Sequence, residues 1–180
     1  MALKPTIYKV NLSLSDMDRS VYGDFQFTLA QHPSENNERM MARVLAFCLN
    51  AHEDLAFTRG LSSVDEPELW LKTLDDQVLD WIEVGQPDPD RLKKASTLSR
   101  VVTVYSFGKS ASTWWTLNAE AIAKFPSVRV YQFPWESMLS LCSLIKRNMN
   151  LTVTLTENTM YIADEDTSVE LVVNPWQVPE

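Results

Sequence analysis

Asp65, Glu66 and Glu68 crowd around Pro67, Glu83 follows them, and Arg91, Lys93 and Lys94 lie just beyond. Carboxylates that converge from neighbouring strands can hold a divalent cation. Mg2+ typically takes one or two of them and keeps several waters. Such a cation activates water and offsets the charge that develops in phosphodiester hydrolysis, with a lysine or arginine nearby to hold the phosphate. Glu83 is the first candidate ligand. The second is either Asp65 or Glu66, delivered where the strand before Glu83 begins. Glu38, on a separate helical segment, is a third candidate acid. Arg59 can meet a phosphate or pair with one of these acids.

Each of these residues also has an ordinary reading. Asp65, Glu66 and Glu68 suit a solvated acidic turn, and Glu38 suits a helix surface near the N-terminus, where an acid complements the macrodipole. Arg91, Lys93 and Lys94 suit a solvated helix face. Gly85, two residues after Glu83, can be a turn glycine or a point of close approach for backbone or ligand.

The elements that must carry these residues follow from hydrophobic period. Thr6–Asp16 and Val21–Gln31 alternate as strands around the polar DMDRS, an opening hairpin. Pro33-Ser34 marks a helix start with Ser34 as N-cap. That helix runs to about Ala51, with Met41, Val44, Leu45 and Cys48 inward and Arg39 and Arg43 opposite. Leu55–Arg59, Leu69–Lys72 and Val78–Val84 read as strands, the last two joined by a tight turn at TLDDQ. Glu83 shares a face with Trp81 and Leu79, because side chains alternate. A glutamate on so apolar a face sits at a sheet edge or has a partner. Asp88-Pro89 makes an N-cap and first-position proline for a helix of roughly 11 residues. Val101–Phe107 and Val128–Phe133 are strands, and Ser110–Lys124 and Trp135–Lys146 are helices. Leu151–Thr156, Met160–Ala163 and Val169–Val173 form a closing β-meander. Trp114 or Trp115 must enter the core.

This order implies an α/β (α+β) mixed sheet flanked by helices in one domain over residues 1–180. The chain has 180 residues, 45% hydrophobic and 22% charged, which suits a globular core. Four glycines leave no GxGxxG or Walker A loop. Cys48 and Cys142 are far apart and read as buried thiols, and neither His32 nor His52 has a zinc-site spacing. No apolar run reaches the roughly 20 residues of a membrane helix, and MALKPTIYKV lacks a signal-peptide core. The expectation is a cytoplasmic protein without a membrane partner. The net charge of −8 disfavours non-specific duplex binding while leaving room for a local nucleic-acid site.

The segments HPSENNERMMARVLAF, LAFTRGLSSVDEPELW and DWIEVGQPDPDRLKKA resemble the characteristic stretches of the YaeQ family, and the similarity runs from ALKPTIYK to NPWQ. The resemblance implies a bacterial protein with a restriction-endonuclease-like variant of the PD-(D/E)XK nuclease fold and a candidate Mg2+-dependent nuclease site. That superfamily places acids on a strand hairpin and a lysine two residues after the second acid. Carried over, Glu83 is the second acid, Asp65 or Glu66 the first, and Glu38 the helix acid that orients the metal or its water. The lysine position is Gly85. Lys94, on the next helix, is the candidate replacement and would stabilise phosphate charge together with Arg59. Pro67-Glu68 stands where a P-D signature would fall. The rival implication is a non-catalytic binding or regulatory module that reuses the fold with a degenerate site.

Overall fold

The computed structural model describes residues 4–179. The elements run β1 (Thr6–Asp16), β2 (Val21–Gln31), α1 (Asn37–Leu49), β3 (Leu55–Phe57), β4 (Leu69–Lys72), β5 (Val78–Val84), α2 (Pro89–Leu98), β6 (Ser99–Ser106), α3 (Ala111–Ile122), β7 (Val128–Gln132), α4 (Trp135–Leu141), β8 (Asn148–Thr156), β9 (Thr159–Ala163), β10 (Ser168–Val172) and β11 (Asn174–Gln177). Two short 3-10 turns, Gly60–Ser62 and Cys142–Leu144, complete the chain. The fold is mixed α+β, with two mixed sheets ordered β10-β9-β8-β1-β2 and β11-β7-β6-β5-β4-β3. The residues group into two compact units: the chain up to Leu49 with Pro134–Val173, and Asn50–Phe133 with the segment from Asn174 onward.

In the first unit the opening hairpin forms with the expected bounds. Its register pairs Thr6 with Gln31 and Asp16 with Val21. Alternation sends Val10, Leu12 and Leu14 into the core and leaves Lys9, Asn11 and Ser13 exposed. Strand β8 joins β1 in parallel, which makes this sheet mixed. The start of α1 differs from the expectation. Asn36 caps it, its Oδ1 accepting from the Arg39 N–H at 2.8 Å, while the Ser34 hydroxyl lies 2.6 Å from His32 Nδ1 in the preceding turn. Arg43 also departs from its expected solvent face: it is buried, with Nη2 2.5 Å from Glu35 Oε1 and Nε 3.0 Å from Oε2. Every residue of α1 from Met40 to Cys48 is buried, so a helical arginine there persists only because a carboxylate meets it.

In the second unit, β5, β6 and β7 run parallel, since α2 and α3 supply the crossovers that parallel strands require. Asp88 caps α2 as expected, its carboxylate accepting from the Asp90 N–H at 2.9 Å. Leu92 and Ala95 of α2 and Trp114 of α3 pack on Trp81, Val102 and Val104 of the sheet. The last strand, β11, had no periodic signature. Pro175 cannot donate to a ladder, so it suits the edge position that β11 takes beside β7. Trp176 of β11 stacks on Trp115 at 5.5 Å. Among the described residues no helix is long and apolar enough to cross a membrane.

Candidate functional site

Glu83 lies on β5 with β4 and β6 on either side, so it is not at a sheet edge. It is 4% exposed and it has partners. The indole Nε1–H of Trp81, two residues back on the same face, donates to Oε1 at 2.8 Å. Arg91 Nε–H donates to the same oxygen at 2.7 Å. Burial pushes the Glu83 carboxyl above the usual range. The Trp81 hydrogen bond and the Arg91 charge pull it back, and the charge of Glu68 pushes it up again. The Asp88 cap fixes where α2 begins and so brings Arg91, one turn in, over the strand end.

Arg91 does more than neutralise Glu83. Its Nη1 donates to the carbonyl of Val64 at 2.6 Å and its Nη2 to the carbonyl of Glu66 at 2.8 Å. The segment between β3 and β4 is therefore tied to β5 through one guanidinium. Other contacts close the same segment. Arg59 and Glu66 pair at 3.0 Å, with the Arg59 backbone N–H on Glu66 Oε2 at 3.1 Å. These bonds hold the Glu66 carboxyl below its usual range. Lys94 meets Asp65 at 3.6 Å. The Thr58 hydroxyl donates to the carbonyl of Pro67, and the Thr58 N–H donates to that of Glu68 at 3.1 Å.

Arg59, Asp65, Glu66, Glu83 and Lys94 thus fall in one network of the second unit, in which every acid faces its own cation: Glu83 to Arg91, Glu66 to Arg59, Asp65 to Lys94. Glu38 belongs to the first unit. It is half-buried in the first turn of α1; burial raises the Cys142 thiol to about 11, and the Glu38 charge adds to that rise. Cys48 is buried and its thiol is pushed up to about 12; both cysteines are free, and such thiols are inert.

Among the described residues no three of His, Cys, Asp and Glu converge as metal ligands. A guanidinium and an indole N–H already engage Glu83 Oε1, and a second positive charge beside Arg91 would be opposed. In this arrangement Glu83 Oε1 is not free to take a Mg2+ ion.

Type and spacing picked out two further residues of the site, Glu68 and Arg91, but not their relation to Glu83. Glu68 is buried and faces Glu83 across the β4–β5 pair: Leu69 pairs with Ile82, and the Glu68 N–H bonds the Ile82 carbonyl at 2.9 Å. Counting back from the TLDDQ turn sets it opposite Ile82 instead, because the register shifts between Leu71 and Lys72. Arg91 reads from spacing as part of a solvated helix face, and its reach to Glu83 depends on how α2 docks on the sheet. Gly85, at the expected lysine position, has φ +105° and nothing within 4 Å of where a Cβ would stand. Space exists there, but the backbone conformation strains any L side chain.

The YaeQ protein family profile matches residues 1–173. The uncharacterized protein YaeQ of Escherichia coli (strain K12) is 39% identical over 181 residues, spanning 99% of this chain and 99% of that protein. That of Salmonella typhi is likewise 39% identical over 99% of each. The crystal structure of the YaeQ protein from Xanthomonas axonopodis pv. citri superposes with TM-score 0.94 at 39% identity, covering 97% of this chain and 99% of that one. The YaeQ protein from Pseudomonas syringae superposes with TM-score 0.92 at 38% identity, covering 97% of each. With a match of this length in both sequence and structure, the chain belongs to the YaeQ family.

Proposed function

We propose that the second unit is a cytoplasmic, PD-(D/E)XK-like scaffold that works as a non-catalytic binding module, with the loop between Thr58 and Glu68 as its contact surface. The observation that carries this reading is the Arg91 guanidinium, bonded at once to the Glu83 carboxylate and to the loop carbonyls of Val64 and Glu66. A charge that could bind substrate is used instead to hold backbone. Holding a loop in one conformation removes the ordering cost of binding. The fixed loop presents Leu61, 46% exposed, and Val64, 80% exposed. These apolar tips, in a chain of net charge −8, suit a protein partner better than a nucleic acid.

A second reading keeps the Mg2+-dependent nuclease, with Glu83 as acid and metal ligand, Asp65 or Glu66 as the other ligand, Glu38 as helix acid, and Lys94 and Arg59 on phosphate. One observation favours it: Glu68 and Glu83 are both buried and face each other on a strand hairpin, where the superfamily carries its acids. The test is cleavage of single- and double-stranded DNA and RNA in Mg2+ or Mn2+, comparing wild type with Glu83→Ala. The binding-module reading expects no cleavage that depends on Glu83. Cleavage by wild type that Glu83→Ala abolishes would establish the nuclease.

A further inference from the structure

A separate feature lies in the first unit, apart from the binding loop proposed above. Among the described residues four strands are sheet edges: β10 and β2 of one sheet, β11 and β3 of the other. An open edge offers unpaired N–H and C=O groups to any other strand, and proteins blunt it with short strands, basic side chains, prolines or bulges. Three of these edges are blunted. β3 has three residues and β10 five, and β11 carries Pro175 and a register shift. β2 is the exception: it runs for 11 residues, VYGDFQFTLAQ, without lysine, arginine or proline, and its register with β1 has no shift.

Which of its backbone groups face outward follows from β1. The Lys9 N–H donates to the Arg147 carbonyl at 2.8 Å, on the side of β8. Successive residues of a strand turn their backbone groups to opposite sides. Those of Val10, Leu12 and Leu14 therefore point to β2, where Phe27, Phe25 and Gly23 are their partners. The N–H and C=O groups of Tyr22, Asp24, Gln26, Thr28 and Ala30 are left to line the free edge. Arg43 Nη2 takes the Ala30 carbonyl at 3.1 Å. The other four residues are exposed, and their outward groups make no hydrogen bond to another described residue.

This edge is complementary to itself. A second copy laid antiparallel along it, with a two-fold axis at Phe25, sets Tyr22 against Thr28 and Asp24 against Gln26 of the other copy. These are the residues with free backbone groups, and each such pair exchanges two hydrogen bonds. The Gln26 amide donates to the facing Asp24 carboxylate. On the other side of the sheet Phe27 comes opposite Gly23, whose missing side chain leaves room for the ring, and Phe25 meets Phe25 of the second copy. Phe25 and Phe27 are only half-buried, against Phe47 at centroid distances of 5.6 and 4.5 Å, so they have apolar area left to bury. An axis at Asp24 would set two carboxylates directly opposite each other. An axis at Gln26 would pair Tyr22 with Ala30, whose carbonyl is already taken.

We propose that β2 is a homodimer interface, at which two copies of this chain pair edge to edge and join their first-unit sheets. A contact of this size is weak, with a dissociation constant on the order of 10 µM. The experiment is sedimentation equilibrium of the full chain, from well below to well above that concentration. It compares wild type, Gln26→Glu, and the double variant Asp24→Lys with Gln26→Glu. Wild type should pass reversibly from monomer to dimer. Gln26→Glu sets like charges opposite each other at both symmetric pairs and should weaken the dimer at least about tenfold. The double variant sets opposite charges there and should restore it to within about threefold of wild type. Both side chains are exposed, so the dilute variants should unfold at the wild-type temperature. A monomer throughout, which would leave the edge to a strand of another protein, would overturn the proposal. So would a dimer that Gln26→Glu leaves unchanged, or one that the double variant does not restore.

Discussion

Arg91 and Glu83 are joined by a 2.7 Å hydrogen-bonded ion pair in which the carboxylate side chain is 5% exposed and the guanidinium side chain 30%. Removing one partner of a fully buried pair costs roughly 3–5 kcal/mol because the other charge is stranded. Arg91 keeps some solvent, so Arg91→Ala should cost less, about 2–3 kcal/mol. The double variant with Glu83→Ala should be destabilised by less than the sum of the two single changes, with a coupling of about 1–3 kcal/mol. Urea unfolding of the four proteins measures this.

The pH dependence has a definite sign. Burial raises the folded-state pKa of Glu83, so between the ordinary glutamate value of about 4.3 and its folded value the native state holds the extra proton. Stability therefore falls as pH rises through that window. The difference between wild type and Glu83→Gln, followed by urea unfolding across acidic to neutral pH, should show this slope. A flat difference would remove Glu83 as a buried acid.

Lys94 and Asp65 should matter little to folding. They lie 3.6 Å apart with side chains 68% and 78% exposed, and pairs of that kind contribute below about 0.5 kcal/mol. Lys94→Ala and Asp65→Ala should leave the unfolding temperature within error of wild type. A large loss would mean that they hold the loop, as Arg91 does.

The glycines separate backbone strain from crowding. Gly85 has φ +105° with open space around it, whereas Gly23 has no such φ and a Cβ there would lie 3.6 Å from Phe25. Gly85→Ala should therefore destabilise by about 1–3 kcal/mol, and Gly85→Lys should do the same without creating activity. Gly23→Ala should be neutral or slightly stabilising, by up to about 1 kcal/mol. Thermal unfolding of the three variants decides it.

What the sequence made legible was local. Strict alternation placed β1, β2, β4 and β5 at their observed bounds, and Asp88-Pro89 marked the start of α2, because period and capping are properties of neighbouring residues. The face shared by Trp81 and Glu83 was legible for the same reason, and so was the need for a partner. The partner itself was not, because Arg91 reaches Glu83 only through the docking of α2 on the sheet. Arg43 was hidden likewise: a helix buried all round cannot be told from an amphipathic one when its arginine has a distant carboxylate. Ser34 and Asn36 are both good caps, and the hydrogen bond from Ser34 to His32 decided between them. Pairing of the 58–68 loop acids with separate cations depends on tertiary contacts that spacing does not carry.

The binding-module proposal requires that Arg91, and not a metal ion, neutralises Glu83. The most direct measurement is thermal unfolding of wild type and Glu83→Ala with and without millimolar Mn2+ or Mg2+. A ligand at 100 times its dissociation constant raises stability by about 2.7 kcal/mol, so a bound ion would be plain. The expected result is no shift in either protein. A shift in wild type that Glu83→Ala abolishes would contradict the account and restore Glu83 as a metal ligand.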